Sequence, residues 1–252
     1  MIISGSLAND IDRKKAVLVA NPDYFLVRQK RFDKQLRDIR GVHSWLIEHP
    51  EIRNVMLMNY LNPNKDIVEL LRQGVENLDS AWHYLLSNPN YLSSDALIRT
   101  GALIEPGKNK SGFRDVRVSL GMNHVPPNPI KVPQLVGEAF DEVTNSESHD
   151  VEKAAMLHLR LAGIQPFIDG NKRTSRLYQD RMLYGSNLPV AFIPVGERSV
   201  YLTLLDQGWE GLRDDRLELQ EPFVNYIGGK VNTTLDTIIG DINRHLSRVR
   251  RR

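Results

Sequence analysis

The sequence predicts an all-α fold, and three observations lead to that expectation. Long segments carry apolar residues at the three- and four-residue spacing of a helix. Clusters of proline, asparagine and glycine separate those segments and mark where helices end. Alternation of apolar and polar residues is confined to one short stretch, between Gly112 and Gly121. We therefore expect a helical bundle that carries a small β-hairpin.

The helical segments follow one another along the chain with short breaks. Apolar stripes predict helices over residues 23–48, 66–86, 132–143, 150–163, 172–183, 200–209 and 221–227, with a short segment over residues 52–61 between the first two. Residues 112–121 form the predicted hairpin, and a proline-stiffened extended connection follows over residues 125–129. Trp45, Trp82 and Trp209 are expected to be packing residues, and His158 lies on an apolar helix face where a hydrogen-bonded core histidine is expected.

The composition is that of an ordinary globular protein and argues against several classes of site and of binding partner. Of the 252 residues, 41% are hydrophobic and 25% are charged, and the absence of cysteine excludes disulfides and thiolate metal sites. A formal net charge of +2 does not indicate a nucleic-acid binder, and the basic residues within 244–252 fit a solvated helix end. Because no segment has the features of a membrane span or a signal peptide, we expect a cytoplasmic protein.

The stretch from Gln165 to Arg176 has the pattern of a phosphate-binding loop. One predicted helix stops at Gly163 and the next begins near Lys172, so the free backbone N–H groups and the positive dipole end of the second helix favour an anion. Gly170 permits the tight turn that lets the backbone approach a phosphate.

Charged side chains complete this pattern. Lys172, Arg173 and Arg176 add positive charge, and Asp169 supplies the hard oxygen that Mg²⁺ prefers beside phosphates. Taken singly, these residues also fit an Asp-Gly turn and solvated cations. Their combination at this spacing favours a site for a magnesium nucleotide.

The same stretch resembles the active-site motif of Fic-domain (Fido) proteins, His-Pro-Phe-x-(Asp/Glu)-Gly-Asn-Gly-Arg-x-x-Arg, where x is any residue. The matching positions are Pro166, Phe167, Asp169, Gly170, Asn171, Arg173 and Arg176. The sequence departs from the motif at Gln165, where the family has histidine, and at Lys172, where it has a second glycine. Residues 112–118, 125–127, 154–158 and 201–227 resemble the family's flap and flanking helices, so the resemblance spans residues 95–228.

The resemblance implies a fold, an activity and cofactors. Fic domains are helical bundles with a β-hairpin flap, and Fic enzymes transfer AMP from Mg-ATP to a hydroxyl side chain of a target protein. By this resemblance Asp169 would hold Mg²⁺. The residues implied to bind ATP are Gly170, Asn171, Lys172, Arg173 and Arg176.

The flap and the chain ends complete the implied organisation. The flap, represented by Gly112, Phe113 and Arg114, would dock an unidentified target protein as an added strand. Residues 1–94 would form an N-terminal helical segment, residues 95–228 the Fic core, and residues 229–252 a C-terminal helix with a basic tail.

The two departures from the motif leave three functions open. A glutamine at position 165 can orient a hydroxyl but cannot accept its proton as the family histidine does, which favours an AMP transferase that is slowed or inactive. The related Doc toxins also have a lysine at the place of Lys172, and they transfer the γ-phosphate instead of AMP. A kinase is therefore the first alternative. The second alternative is a regulatory module that binds nucleotide without catalysis.

A built-in inhibitor is the last expectation. Many Fic proteins carry an inhibitory helix with the pattern (Ser/Thr)-x-x-x-Glu-(Gly/Asn), and residues 44–49 resemble it except at His49. Ser44 and Glu48 would share one helix face, where Glu48 would pair with Arg176. An ordinary surface glutamate is an equal alternative, and an antitoxin-like partner could also supply inhibition.

Overall fold

A computed structural model describes residues 2–20, 41–49, 65–120 and 123–249, with side chains described to residue 244. All regular structure in these residues is helical, which confirms the all-α prediction. Three predictions fall partly or wholly outside the described residues. They are the segment over residues 52–61, residues 23–40 of the helix predicted over 23–48, and the end of the basic tail. Within the described ranges, none of the helices combines the length and apolarity needed to cross a membrane.

The helices are numbered here in chain order. They are α1 (Gly5–Val19), α2 (residues 41–48), α3 (Lys65–Ser87), α4 (Ser94–Ile104), α5 (Val132–Asn145), α6 (Asp150–Ile164), α7 (Asn171–Gly185), α8 (Arg198–Asp214) and α9 (Leu217–Val249). Short 3₁₀ turns at Pro129–Lys131 and Val195–Glu197 precede α5 and α8.

Most of the predicted helices are confirmed, and three elements differ. The helix predicted over residues 221–227 is the beginning of the much longer α9. No apolar stripe predicted α1 or α4, and α1 buries only a narrow stripe, at Ala8, Ile11 and Leu18. α4 begins after a recognisable capping residue, Ser93, whose side chain accepts the backbone N–H of Ala96 at 3.3 Å.

α6 is the central helix of the fold. Leu157 and Leu161 pack into a core cluster shared with α3, α4, α5 and α7, whereas Ala154 and Leu159 pack into a second cluster shared with α1, α8 and α9. A helix that is apolar on nearly all sides can only be stable when neighbours surround it. The C-terminal end of α6 is therefore held firmly, and the loop toward α7 starts from a fixed point.

The β-hairpin predicted over residues 112–121 is wrong: residues 112–120 and 123–128 contain no strand. The two arms of this flap are joined instead by one side chain, because the guanidinium of Arg114 donates to the carbonyl of Val116 at 2.9 Å and to that of Pro127 at 2.7 Å. Pro126 and Pro127 have no backbone N–H, so the second arm lacks the donors that a strand ladder would need there.

α2 is fixed between α3 and α8. The indole of Trp45 lies so close to Gly74 of α3 that a Cβ atom there would be 2.1 Å from Nε1 of Trp45. Arg198, the first residue of α8, donates from Nε to the carbonyl of Ile47 at 2.6 Å. Trp45, Trp82 and Trp209 are all buried, which confirms them as packing residues.

Candidate functional site

The loop between α6 and α7 turns twice in the left-handed backbone region. Gln165 caps α6 with φ 51°, and Gly170 precedes α7 with φ 76°. A Cβ atom on Gly170 would lie 3.0 Å from Cγ2 of Ile104 and 3.2 Å from Cγ of Glu105, so a side chain would meet both strain and crowding. The α7 N-terminus, where backbone N–H groups are available to an anion, thus begins directly after a glycine turn.

Two asparagines hold the loop in this shape. Asn171 donates from Nδ2 to the carbonyl of Phe167 at 2.9 Å and accepts the N–H of Phe167 at 2.8 Å. Asn109 donates to the carbonyls of Gly101 at 3.1 Å and Asp169 at 2.9 Å. The amide of Asn171 therefore shapes the loop, and its contact with a nucleotide stays a prediction.

Asp169 lies on the outer side of the loop with 39% of its side chain exposed. Lys108 donates to its Oδ2, and Arg173 pairs with its Oδ1 at 3.3 Å. Burial raises the pKa of this carboxyl, but the hydrogen bond from Lys108 and the charge of Arg173 outweigh burial and lower the pKa overall. The carboxylate is thus ionised near neutral pH and accessible from solvent.

An ionised, accessible carboxylate suits Mg²⁺, which commonly binds to one or two carboxylates together with substrate phosphates. Among the described residues, no three His, Asp or Glu side chains gather into a cage for a metal ion. Asp169 could therefore hold Mg²⁺ only together with other oxygen ligands, and the phosphates of a nucleotide would provide them.

Arg173 is buried at the start of α7. Its side chain is 2% exposed and pairs with Glu105 at 2.7 Å. Its Nε is buried and has no hydrogen-bond partner within the described ranges. An unpaired buried donor is costly, and an anionic oxygen at the loop would satisfy it.

Arg176, one turn further along α7, is hydrogen-bonded to residues of two other helices. From α2, Ser44 accepts Nε–H at its hydroxyl at 3.0 Å and Nη2–H at its carbonyl at 2.9 Å. Glu48 lies 3.0 Å from Nη2. From α8, the hydroxyl of Tyr201 accepts from Nη1 at 3.1 Å. The structure thus brings Ser44, Glu48 and Arg176 together as the sequence predicted, while the inhibitory role stays a prediction.

Lys172 also reaches Glu48. Its Nζ lies 3.1 Å from Oε2 of Glu48, so the two cations of α7 share one carboxylate. Burial raises the pKa of Glu48, but the charges of Arg176 and Lys172 outweigh burial and hold the pKa below its usual value. The glutamate is therefore charged at neutral pH, and it covers the positive end of α7.

Gln165 turns its side chain away from the loop. Nε2 donates to the carbonyl of Ala162 at 2.5 Å, and the residue is only 4% exposed. Its own carbonyl accepts from Nε of Arg114 at 2.6 Å, and its N–H bonds the carbonyl of Leu161 at 3.2 Å. Backbone and side chain are both engaged, and an amide has no basic atom with which to accept a proton near neutral pH.

The flap lies directly over this loop. The N–H of Arg114 donates to the carbonyl of Pro166 at 2.9 Å, and the ring of Phe113 lies 5.9 Å from that of Phe167. Gly112 has φ 98°, which turns the chain into the flap. The three residues predicted to form the flap therefore border the loop, and their contact with a target protein stays a prediction.

Sequence reasoning missed the residues that support the loop from outside the motif. Lys108 and Glu105 pair with Asp169 and Arg173, Asn109 holds the loop backbone, and Tyr201 contacts Arg176. The only signal for the first three was their position in the polar stretch after residue 104, between two predicted elements. Tyr201 had no signal, because a tyrosine on an apolar helix face is ordinarily a core residue.

The chain is similar to known proteins over a region that includes this loop. The sequence profile described as the Fic/DOC family matches residues 91–183. Protein adenylyltransferase Fic of Drosophila grimshawi is 34% identical over 203 residues, which are 75% of this chain and 35% of that protein. The corresponding protein of Drosophila willistoni is also 34% identical, over 75% of this chain and 34% of its own length. The chain thus spans about a third of the length of the curated relatives it matches.

Solved structures show the same fold. A fragment of Fic-1 from C. elegans superposes with a TM-score of 0.69 at 20% identity, over 93% of this chain and 71% of that one. A Fic domain containing signaling protein from Bacteroides thetaiotaomicron superposes with a TM-score of 0.72 at 19% identity, over 92% of this chain and 95% of that one. At these identities the likeness supports the helical fold, which was predicted, and says nothing more specific about activity.

Proposed function

The chain belongs to the Fic/DOC family, and on that premise we propose that it is a protein adenylyltransferase held at rest by Glu48 and lacking an efficient proton acceptor at Gln165. One observation carries the proposal: Asp169 and Arg173 pair at the N-terminal end of α7, directly after a glycine turn, and Arg176 follows one turn further along the same helix. This is an arrangement that binds a polyphosphate. The 34% identity to proteins named adenylyltransferase supports AMP transfer in particular.

The nucleotide would lie across the α7 N-terminus. Asp169 would hold Mg²⁺, whose charge neutralises the phosphates when the ion is bound. Arg173 would offer its unpaired Nε to a phosphate oxygen, and Arg176 would meet the terminal phosphate after Glu48 withdraws. Gly170 lets the backbone come close to the phosphates because it carries no Cβ.

In the transfer step, the hydroxyl oxygen of the target would bond to the α-phosphorus of ATP as the bond to the leaving pyrophosphate breaks. The hydroxyl proton must go to an acceptor at the same time. Gln165 cannot accept it, since its amide donates to the carbonyl of Ala162 and has no basic nitrogen. Loss of a general base lowers rates by about 10²–10⁴. We therefore expect nucleotide binding with slow or absent transfer.

The target would dock on the flap. Residues 112–120 contain no strand, and Val116 is 51% exposed. A peptide that docks along this segment as an added strand would bind through backbone hydrogen bonds. The target itself is defined here only by its chemistry, as a protein segment that can extend and that carries a hydroxyl side chain.

A γ-phosphate kinase is the second candidate, and one contact favours it. Lys172 binds the same carboxylate as Arg176, so its ammonium group lies beside the arginine expected at the terminal phosphate. A cation at that place could stabilise charge on a transferred γ-phosphoryl group as well as on a leaving pyrophosphate. A non-catalytic nucleotide-binding module is the third candidate, favoured by the engaged side chain of Gln165.

Labelled ATP decides among the three. The chain and its Gln165→His variant are each incubated with lysate proteins and with ATP labelled at the α- or the γ-phosphate, and an Asp169→Asn, Gln165→His double variant serves as the inactive control. Protein-bound α-label that rises at least tenfold in Gln165→His would support adenylyl transfer. Label from the γ-position alone would support the kinase. ATP binding with neither label in either variant would support the non-catalytic module and overturn the proposed activity.

A further inference from the structure

Arg176 is linked to a chain of buried polar side chains that the proposed function does not use. Tyr201 bonds Arg176 and also lies 2.9 Å from Nε2 of His158, whose Nδ1 lies 2.7 Å from Oε1 of Gln179. Nε2 of Gln179 in turn lies 3.5 Å from Oδ1 of Asp180, which also accepts the N–H of Ala191 at 3.2 Å. Tyr201, His158 and Gln179 are 0% exposed.

The two ends of this chain fix the direction of each hydrogen bond within it. A guanidinium has only donors, so the oxygen of Tyr201 must accept from Arg176. Oδ1 of Asp180 accepts the N–H of Ala191, so Gln179 directs its NH₂ group at this acceptor and its carbonyl oxygen at His158. Nδ1 of His158 therefore carries the proton, Nε2 is bare, and the hydroxyl of Tyr201 donates to Nε2. In this order both ring nitrogens of His158 and the hydroxyl of Tyr201 have partners of the required kind.

The order divides the guanidinium of Arg176 into two edges. Nη1 faces Tyr201, which belongs to the buried chain. Nε and Nη2 face Ser44 and Glu48, which both belong to α2. When α2 withdraws, the Nε–Nη2 edge loses its partners, whereas Nη1 keeps an acceptor that donation into neutral His158 polarises further.

We propose that Tyr201, oriented by His158 in its Nδ1–H form, is the positioning residue that holds Arg176 ready for the terminal phosphate of the nucleotide. This inference rests on the proposed function, since it assigns the free edge of Arg176 to that phosphate. Tyr201 touches no reacting atom. It fixes Nη1, so that the Nε–Nη2 edge stays in one orientation after α2 withdraws and loses less rotamer entropy on binding.

The binding test compares ATP with ADP, because only ATP carries the terminal phosphate. Affinities of both nucleotides with Mg²⁺ are measured by calorimetry in the full chain carrying Glu48→Gln, alone and combined with Tyr201→Phe. Because Tyr201→Phe removes a hydrogen bond that orients a charged group, the affinity for ATP is expected to fall about tenfold, whereas the affinity for ADP should change by less than about twofold. Tyr226→Phe is the matched control, since it removes a hydroxyl that bonds Glu197 outside the site.

If Tyr201 is merely structural, Tyr201→Phe will lower the affinities for ATP and ADP equally or leave both unchanged. Either result would overturn the inference while leaving the proposed function intact. If the Glu48→Gln chain bound no ATP, the proposed function would fall and the inference with it. Long-range proton–nitrogen NMR of His158 gives a second test that needs no nucleotide. A protonated Nδ1 and a bare Nε2 are expected, and the opposite tautomer would overturn the assigned direction.

Discussion

Oε1 of Glu48 lies 3.0 Å from Nη2 of Arg176, and Oε2 of the same carboxylate lies 3.1 Å from Nζ of Lys172. One acidic side chain therefore pairs with two of the cations on the first turns of α7. Glu48 is mostly buried, at 16% side-chain exposure, so solvent screens these contacts less than it would at an open surface. A nucleotide that needs both cations must compete with a carboxylate already in place.

Removing the charge of Glu48 should strengthen ATP binding. In Glu48→Gln the amide can keep one hydrogen bond, but the terminal phosphate no longer competes with a negative charge, so we expect ATP affinity to rise about tenfold. ADP lacks the phosphate proposed to meet Arg176, so its affinity should change much less. Calorimetry with both nucleotides measures this, and Glu69→Gln, which removes an exposed partner of Arg72, is the control. Equal affinities of Glu48→Gln and the unaltered chain for ATP would show that Glu48 does not block the site.

A substitution that crowds α2 from α3, outside the site, should also raise the affinity for ATP. Gly74→Ala places a Cβ atom 2.1 Å from Nε1 of Trp45, so the contact between α3 and α2 has to open, and a shift of α2 would carry Glu48 with it. We expect ATP affinity to rise severalfold and the free energy of unfolding to fall by about 1–3 kcal/mol, measured by calorimetry and urea titration. Gly137→Ala on α5 is the control, because nothing lies within 4 Å of its added Cβ. Weaker ATP binding in Gly74→Ala would contradict the link between α2 and the site.

Gly170→Ala should destabilise the loop and weaken nucleotide binding. The positive φ of 76° costs a non-glycine residue about 1–2 kcal/mol, and the new Cβ would crowd Ile104 and Glu105. Since the backbone at this turn is where phosphates would approach, ATP and ADP should both lose affinity. Thermal unfolding and calorimetry test this, with Gly196→Ala as the control because its Cβ would meet open space. Unchanged nucleotide affinity would place the phosphates elsewhere.

His158 should make the fold sensitive to acid. Burial, aided by the charge of Arg176, lowers the pKa of His158 from 6.5 to about 3, against the opposing effect of the Gln179 hydrogen bond. The unfolded chain takes up a proton below about pH 6.5 whereas the folded chain does not, so this contribution to stability is complete above pH 6.5 and is lost as the pH falls toward 3. The loss is about 1.4 kcal/mol per pH unit for one proton.

Urea unfolding at pH 7.5 and pH 5.0 measures this dependence. A His158→Gln variant lacks the titrating group, so its free energy of unfolding should fall less between the two pH values than that of the unaltered chain. Identical falls in both proteins would mean that other groups govern the acid response.

The helices and the loop could be predicted because short-range rules determine them. The apolar stripe of residues 66–86 reappears as α3, and the glycine turn at Gly170 does begin a helix. The missed helix α1 has three buried residues among many charged ones, and its stability comes from packing on α9 over 200 residues away, which a local pattern does not contain.

The flap was predicted wrongly for a related reason. Alternation in residues 112–121 signals extended backbone, but a strand also needs a partner with free donors, and Pro126 and Pro127 have none. In the same way, the contact between Tyr201 and Arg176 depends on how α8 crosses α7. Such contacts join residues far apart in the chain, so the motif alone could not reveal the buried chain behind it.

The backbone around Gln165 is held by partners that do not depend on which side chain stands there. Arg114 binds its carbonyl, and Leu161 accepts its N–H. Codons for glutamine and histidine differ only in their third base, so one point mutation could replace the amide by an imidazole on an unchanged main chain. Gain or loss of a proton acceptor at this position is therefore among the shortest evolutionary steps open to the protein, and lineages could cross it in either direction without rebuilding the loop.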